Sequence, residues 1–263
     1  MNAKNLKTAM QEGRKVYGTL VSTAHPKWPV IIKNIGLDFV LIDTEHESID
    51  RSQLAWMCQA FDALDICPIV RIPFPDSHQA TMALDAGAKG IIAPYVETVD
   101  QVKMLRGAVK FHPLKGKVLQ DVLAGKQDVE ETVRYLGRRN EDNLLILNIE
   151  STPALEVLDE LLNVPDVDCV LIGPHDLSCS LGMPEQYNHP KFEETVGAFC
   201  RQARARGVSA GIISGITLWP ELQGPIRWAR EDGLNVIVHS SDIVSFAEYL
   251  NQQFTELWDA LKH

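Results

Sequence analysis
The sequence predicts an α/β fold, a TIM (β/α)8 barrel. Three observations carry this. Eight short β-rich runs alternate with longer helix-like segments. Several runs (Ile69-Val70, Ile91-Ile92, Val170-Leu171-Ile172) are apolar throughout, as parallel strands buried on both faces require. The first run, around Tyr17-Gly18-Thr19-Leu20, has no G-x-G-x-x-G loop, which a doubly wound dinucleotide fold would place there.

The elements follow in order. The first two strands are Val16–Ser22 and Asp38–Asp43. A helical pattern over Asp50–Leu64 leads to strand Pro68–Ile72. Helix Ser77–Ala86, ended by Gly87, leads to strand Gly90–Pro94. The next connection is too long for one helix: Val99–Val109 is helical, His112–Gly125 reads as irregular, and Asp128–Arg139 is a second helix. Strands Leu144–Ile149 and Cys169–Gly173 come next. Helix Lys191–Arg206, ended by Gly207, precedes strand Val208–Ser214. Helix Pro220–Glu231, with Gly233 after it, precedes strand Asn235–His239. No linker rich in Gly, Pro or Ser interrupts the series, so one domain over 1–263 is expected.

Composition narrows the function. The 263 residues are 45% hydrophobic and 23% charged, enough for a large core. A net charge of −10 argues against a nucleic-acid partner, which needs clustered cations. It leaves room for a small anionic substrate, because one local arginine can dominate a pocket. Cys58, Cys67, Cys169, Cys179 and Cys200 form no C-x-x-C pair. They read as reduced thiols of a cytoplasmic protein. Met1 to Lys7 contains no apolar signal core, and no apolar run is long enough to span a membrane.

Catalytic groups of such barrels lie at the C-terminal ends of the strands. There the sequence offers Asp43, Glu45 and His46, then Arg71, Asn148 and Glu150, His175 and Asp176, Ser214, and His239, Ser240 and Ser241. Glu150 and Asp176 on neighbouring strand ends suit a hard divalent cation, which takes one or two protein carboxylates and completes its shell with water and substrate. Capping a helix is the simpler role for each. Asp43 and His46, three apart, would pair as carboxylate and imidazole; the alternative is a solvated loop histidine. Arg71 interrupts an apolar strand and so needs an anionic partner. Glu45 in a structural ion pair and a substrate carboxylate both fit. A zinc or iron site at His175 and His239 has no H-x-H or H-x-x-x-H support. A nucleophilic Ser240 or Ser241 has no G-x-S-x-G elbow. Lys89 and Lys117 are poorly placed for a Schiff base.

The residues also resemble a known family. Gly36-Leu37-Asp38-Phe39 leads into Ile42-Asp43-Thr44-Glu45-His46, and Pro68-Ile69-Val70-Arg71 follows. Then come Leu84-Asp85-Ala86-Gly87-Ala88, Ile149-Glu150-Ser151, and Ile172-Gly173-Pro174-His175-Asp176-Leu177-Ser178. This set is similar to the HpcH/HpaI family of metal-dependent (class II) pyruvate aldolases, over nearly the whole chain. The resemblance implies a TIM barrel whose Glu150 and Asp176 hold a divalent cation (Mg²⁺, Mn²⁺ or Co²⁺). It implies His46 as acid/base with Asp43 as partner, and Arg71 on the pyruvate oxygen. Asn148 would lie in the substrate site, and backbone amides near Gly173, Pro174 and His175 would hold the pyruvate carboxylate. It also implies a homo-oligomer, a hexamer built as a trimer of dimers that exchange the last helix, here Ser245–Leu261. Phe246, Tyr249, Leu250, Phe254, Leu257, Trp258 and Leu261 recur there at helical spacing. Packing on its own barrel is the alternative.

The sequence departs from the family pattern at three places. Asn148 stands where Gln is usual, His175 where a small residue is usual, and residues 111–118 replace a Tyr-Pro-Pro-x-Gly-x-Arg-Gly loop. The expected reaction is cleavage of a 4-hydroxy-2-oxo acid to pyruvate and an aldehyde. Oxaloacetate decarboxylation or other enolate chemistry at the same site is the alternative, and a non-catalytic 2-oxo-acid binder a third.

Overall fold
A computed structural model describes residues 1–126, 130–214 and 223–261. Eight parallel strands close a barrel in sequence order: β1 (Val16–Val21), β2 (Phe39–Asp43), β3 (Cys67–Arg71), β4 (Gly90–Ala93), β5 (Leu144–Ile149), β6 (Cys169–Ile172), β7 (Ser209–Ile213) and β8 (Val236–Ser241). β1 pairs with both β2 and β8 and so closes the ring. The expected strands and the observed ones differ only at their ends.

Two packing layers follow from the two-residue period of a strand. Phe39, Leu41, Ile69, Ile146, Leu171, Val236 and Val238 fill the barrel interior. The alternate residues, among them Val40, Ile42, Val70, Leu145, Val170 and Ile237, meet the surrounding helices. The helix Ala3–Gln11 stoppers the N-terminal end, with Leu6, Ala9 and Met10 in the interior cluster. Its spacing of apolar residues is helical, and Asn2 caps it by accepting from the Asn5 amide.

The helices start and stop for local reasons. Asp50 and Gln53 form a capping box on Arg51–Asp62, and Thr98 and Gln101 form another on Val99–Lys110. The expected terminating glycines, Gly87, Gly207 and Gly233, all have positive φ. One expectation is corrected. Residues 112–125 are not wholly irregular, because Gly116–Leu123 is a helix. Its Leu119 and Val122 pack with Phe111 and Leu136 in a small separate cluster. A start at glycine and an apolar face of barely two turns hide it from pattern reading. Of the expected helices at 128–139 and 220–231, positions 128, 129 and 220–222 lie outside the described residues; Glu130–Arg139 is helical, as is Gln223–Arg227, which continues as a π-helix over Trp228–Asp232.

The last helix, Asp242–Leu261, is anchored by its first residue. Asp242 accepts from the Ser22 and Thr23 amides, at 2.9 and 3.2 Å, tying the ends of β8 and β1. It is the helix's sole buried residue, and Phe246, Tyr249, Phe254, Leu257, Trp258 and Leu261 are exposed. Packing of this apolar face on its own barrel is therefore not observed. Among the described residues no helix is long and apolar enough to cross a membrane.

Candidate active site
Strand period delivers the site residues. In β2, Phe39 and Leu41 point inward, so Asp43 does too. In β3, Cys67 and Ile69 lead to Arg71, and in β5, Leu144 and Ile146 lead to Asn148 and then Glu150. In β6, Cys169 and Leu171 lead to Gly173, whose missing side chain makes room. A Cβ there would lie 2.3 Å from Glu150 Oε2.

Asp43 and Arg71 are register partners of β2 and β3. Arg71 donates to both Asp43 oxygens, Nε to Oδ1 at 2.9 Å and Nη2 to Oδ2 at 2.7 Å. This bidentate fork is the strong form of the pair. Glu45 Oε2 lies 3.1 Å from Arg71 Nε and 3.7 Å from His46 Nε2. The Nε proton is aimed at Asp43, so Glu45 Oε2 is attracted by the guanidinium without a hydrogen bond, and is buried without one.

The expected Asp43–His46 pair is therefore corrected. Both Asp43 oxygens serve Arg71, Oδ1 also accepts from the Glu45 amide, and the imidazole's acidic neighbour is Glu45. The His46 side chain is 65% exposed at the rim.

Glu150 is 3% exposed. Its Oε1 accepts from the Tyr95 amide at 3.0 Å and its Oε2 from Asn148 Nδ2 at 2.6 Å. Asn148 Oδ1 is buried with no hydrogen-bond partner. The Tyr95 hydroxyl donates to Asp176 Oδ1 at 3.1 Å, and Asp176 is half-buried. Burial pushes the Glu45 carboxyl up to about 7, against the pull of Arg71 and with the help of Asp43 and Asp176. Burial also pushes Glu150 up to about 7, opposed by the Tyr95 amide and reinforced by Glu45 and Asp176. Partial burial, with Asp176 beside it, pushes the Tyr95 hydroxyl up to about 12.

This donor set suits a hard divalent cation. It is all oxygen, and Arg71 does not offset Asp43, Glu45, Glu150 and Asp176. Among the described residues no group of three or more His, Cys, Asp or Glu has metal-ligand spacing. Glu150 and Asp176 are two carboxylates that could hold such an ion, the number Mg²⁺ or Mn²⁺ commonly takes.

The remaining candidates divide. His175 is exposed, 3.7 Å from Glu185, on the helix Pro174–Ser180. Pro174 has no amide proton, so it cannot donate to a carboxylate as expected. His239 follows Ile237 on the helix-facing side of β8, away from the interior, and burial lowers its pKa. Ser240 is buried where the register of β8 against β1 shifts, so strand period does not assign its face. Ser214 is also buried, and its amide donates to Val238 O. Tyr95 was not singled out from sequence, although it follows strand Gly90–Pro94 and the strand-end rule reaches it. A cavity of about 420 Å³ flanks β2 and β3 beside Thr44, Ile72 and Met82, and none of the candidate residues lines it.

Barrel and mouth together define an enzyme working on a small substrate at the C-terminal ends of its strands. Residues 17–224 match the family described as HpcH/HpaI aldolase/citrate lyase. The chain belongs to that family and is an enzyme of the aldolase type. It is 35% identical over 213 residues to the hydroxypyruvate/pyruvate aldolase of Deinococcus radiodurans, covering 81% of this chain and 76% of that one. It is 28% identical over 248 residues to the 2-keto-3-deoxy-L-rhamnonate aldolase of Shigella boydii, covering 94% and 90%. The crystal structure of an HpcH/HpaI aldolase from Desulfitobacterium hafniense superposes with a TM-score of 0.80 at 26% identity, covering 96% of both chains.

Proposed function
We propose that the chain cleaves a 4-hydroxy-2-oxo acid to pyruvate and an aldehyde, with Glu150 and Asp176 holding Mg²⁺, Mn²⁺ or Co²⁺. One observation carries this reading: buried Glu150 and half-buried Asp176, both bonded to Tyr95, stand at the barrel mouth with Asp43 and Glu45, an excess of carboxylates over Arg71. A bound divalent cation supplies Lewis acidity toward the 2-oxo acid's carbonyl oxygen.

The chain's own residues do the rest. Removing the C4 hydroxyl proton lets the C3–C4 bond break. Its electron pair moves into the C2–C3 unit as an enolate, and the aldehyde leaves. Arg71, held by Asp43, keeps Nη1 clear of protein hydrogen bonds among the described residues, so it can donate to the enolate oxygen. His46 takes the hydroxyl proton and returns one to C3, with Glu45 rather than Asp43 as its acidic neighbour. Asn148 holds Glu150. The amides near Gly173 and His175 bind the substrate carboxylate.

The test is deuterium exchange from solvent into the methyl group of pyruvate, followed by NMR with Mn²⁺ and with chelator. Exchange that needs the cation and disappears in His46→Ala or Arg71→Ala is expected. Undiminished exchange in chelator, or no exchange under any condition, overturns the reading.

We further propose that Asp242–Leu261 docks on a second copy, within a hexamer of three dimers. The exposed face around Phe246, Tyr249 and Trp258 motivates this. Sedimentation of Phe246→Glu/Trp258→Glu should show a smaller species, and an unchanged mass would refute the docking. The buried thiols of Cys58, Cys67, Cys169 and Cys200 fit work in the reducing cytoplasm.

A further inference from the structure
Tyr95 stands in a conformation that its residue type disfavours. Its φ is +48°, in the left-handed region where a bulky aromatic is a true outlier. Such strain persists only where the surroundings over-determine it, and it gathers at functional sites. Both neighbours are held: Pro94 closes the end of β4, and Val96 is fully buried. The Glu97 and Thr98 amides both donate to Gln101 Oε1, which fixes the turn from the other side.

This backbone lets one residue reach two carboxylates on different strands. Its amide donates to Glu150 Oε1 at 3.0 Å, beyond β5, and its hydroxyl to Asp176 Oδ1 at 3.1 Å, beyond β6. Among the described residues no other hydrogen-bonds to both. Tyr95 is 47% exposed, so core packing does not explain its conformation. Left alone, the two like charges would turn apart. Bonded to Tyr95, each keeps its direction; Asn148 also holds the other oxygen of Glu150, while Asp176 Oδ2 stays clear of hydrogen bonds among the described residues.

We propose that Tyr95 is a positioning residue of the cation site: its amide and hydroxyl hold Glu150 and Asp176 at the spacing that one divalent cation requires. The proposal rests on the reading that these two carboxylates hold the cation. Groups that orient metal ligands typically change metal affinity by about 10- to 100-fold when removed.

The experiment is a Mn²⁺ titration of the metal-free protein, following free Mn²⁺ by electron paramagnetic resonance, for wild type, Tyr95→Phe and Tyr95→Asn. Tyr95→Phe removes only the hydroxyl. Asn tolerates positive φ and keeps the amide, so Tyr95→Asn serves if the first variant folds poorly. Thermal melts of the metal-free proteins report folding separately. The expected result is Mn²⁺ affinity lowered by about 10-fold or more in both variants, with turnover recovering as Mn²⁺ is raised. Wild-type binding with unchanged affinity in the variants overturns the positioning role alone. Unchanged affinity with reduced turnover at saturating Mn²⁺ overturns it too, since the phenol would then act on the substrate. No Mn²⁺ binding by wild type overturns the underlying reading, and this proposal with it.

Discussion
The two ends of the barrel bury charge in opposite ways. At the N-terminal end Asp168 is surrounded by donors. Lys110 Nζ reaches its Oδ2 at 2.6 Å, the Leu145 amide reaches the same oxygen at 2.8 Å, and Lys7 Nζ lies 3.2 Å from Oδ1. Lys110 also donates to the Asn143 carbonyl. At the C-terminal end Arg71 faces Asp43, Glu45, Glu150 and Asp176, and burial pushes Glu45 and Glu150 up to about 7. A buried ion that serves the fold is matched, because leaving one unmatched costs several kcal/mol. The mouth retains its imbalance, which is favourable only once something positive arrives. Charge matching thus separates the structural pole from the reactive one.

The largest effect should come from the mouth. Glu150→Gln should lower kcat/KM by about a thousandfold or more, as expected when cation-borne charge stabilisation of several kcal/mol is lost. The melting temperature of the metal-free protein should hold steady or rise, since a crowded carboxylate is gone. Near-normal turnover would break the comparison. Next comes the floor. Lys110→Ala leaves Asp168 with Lys7 and the Leu145 amide and should destabilise the fold by about 3 kcal/mol, read from urea melts. Activity per folded molecule should stay as it was.

A pH series sharpens the contrast. Glu45 and Glu150 titrate at about 7 in the folded chain, above the ordinary value near 4.5. Their contribution to stability is complete below pH about 4.5 and is lost as pH rises through about 7. Metal-free protein should therefore lose several degrees of melting temperature between pH 5 and pH 8. Mn²⁺ should restore most of that loss at the upper end, and Glu150→Gln should flatten the slope. Equal slopes in variant and wild type would remove Glu150 as the cause. The smallest effect belongs to Lys7, on the edge of the floor. Lys7→Ala should cost less than about 1 kcal/mol, as partly exposed pairs do.

The legible parts of the molecule were those written as pattern. Ile91-Ile92 and Val170-Leu171-Ile172 announced buried strands because nothing polar interrupts them. The strand-end rule then brought Asp43, Arg71, Asn148, Glu150 and Asp176 to one end. Parity could have gone further, since His239 is in step with the helix-facing Ile237; it stops there, because the register of β8 against β1 shifts between His239 and Ser241. The Asp43–His46 pairing failed for a reason that sequence spacing does not contain. The better partner, Arg71, lies 28 positions away and becomes adjacent only through β2–β3 register. Tyr95 was hidden because its contribution depends on a backbone angle. The helix Gly116–Leu123 was hidden because its stabilising contacts, with Phe111 and Leu136, are tertiary.

The missing side chain at Gly173 has a practical consequence for anyone diversifying the enzyme toward other aldehydes. A methyl group there would sit 2.3 Å from Glu150 Oε2, so no residue larger than glycine fits without moving the Glu150 carboxylate. Two positions on, His175 projects into solvent. A library should hold 173 fixed and randomise 175. Most of its members would then inherit an intact reaction centre, and variation would fall on the approach of the incoming carbonyl compound.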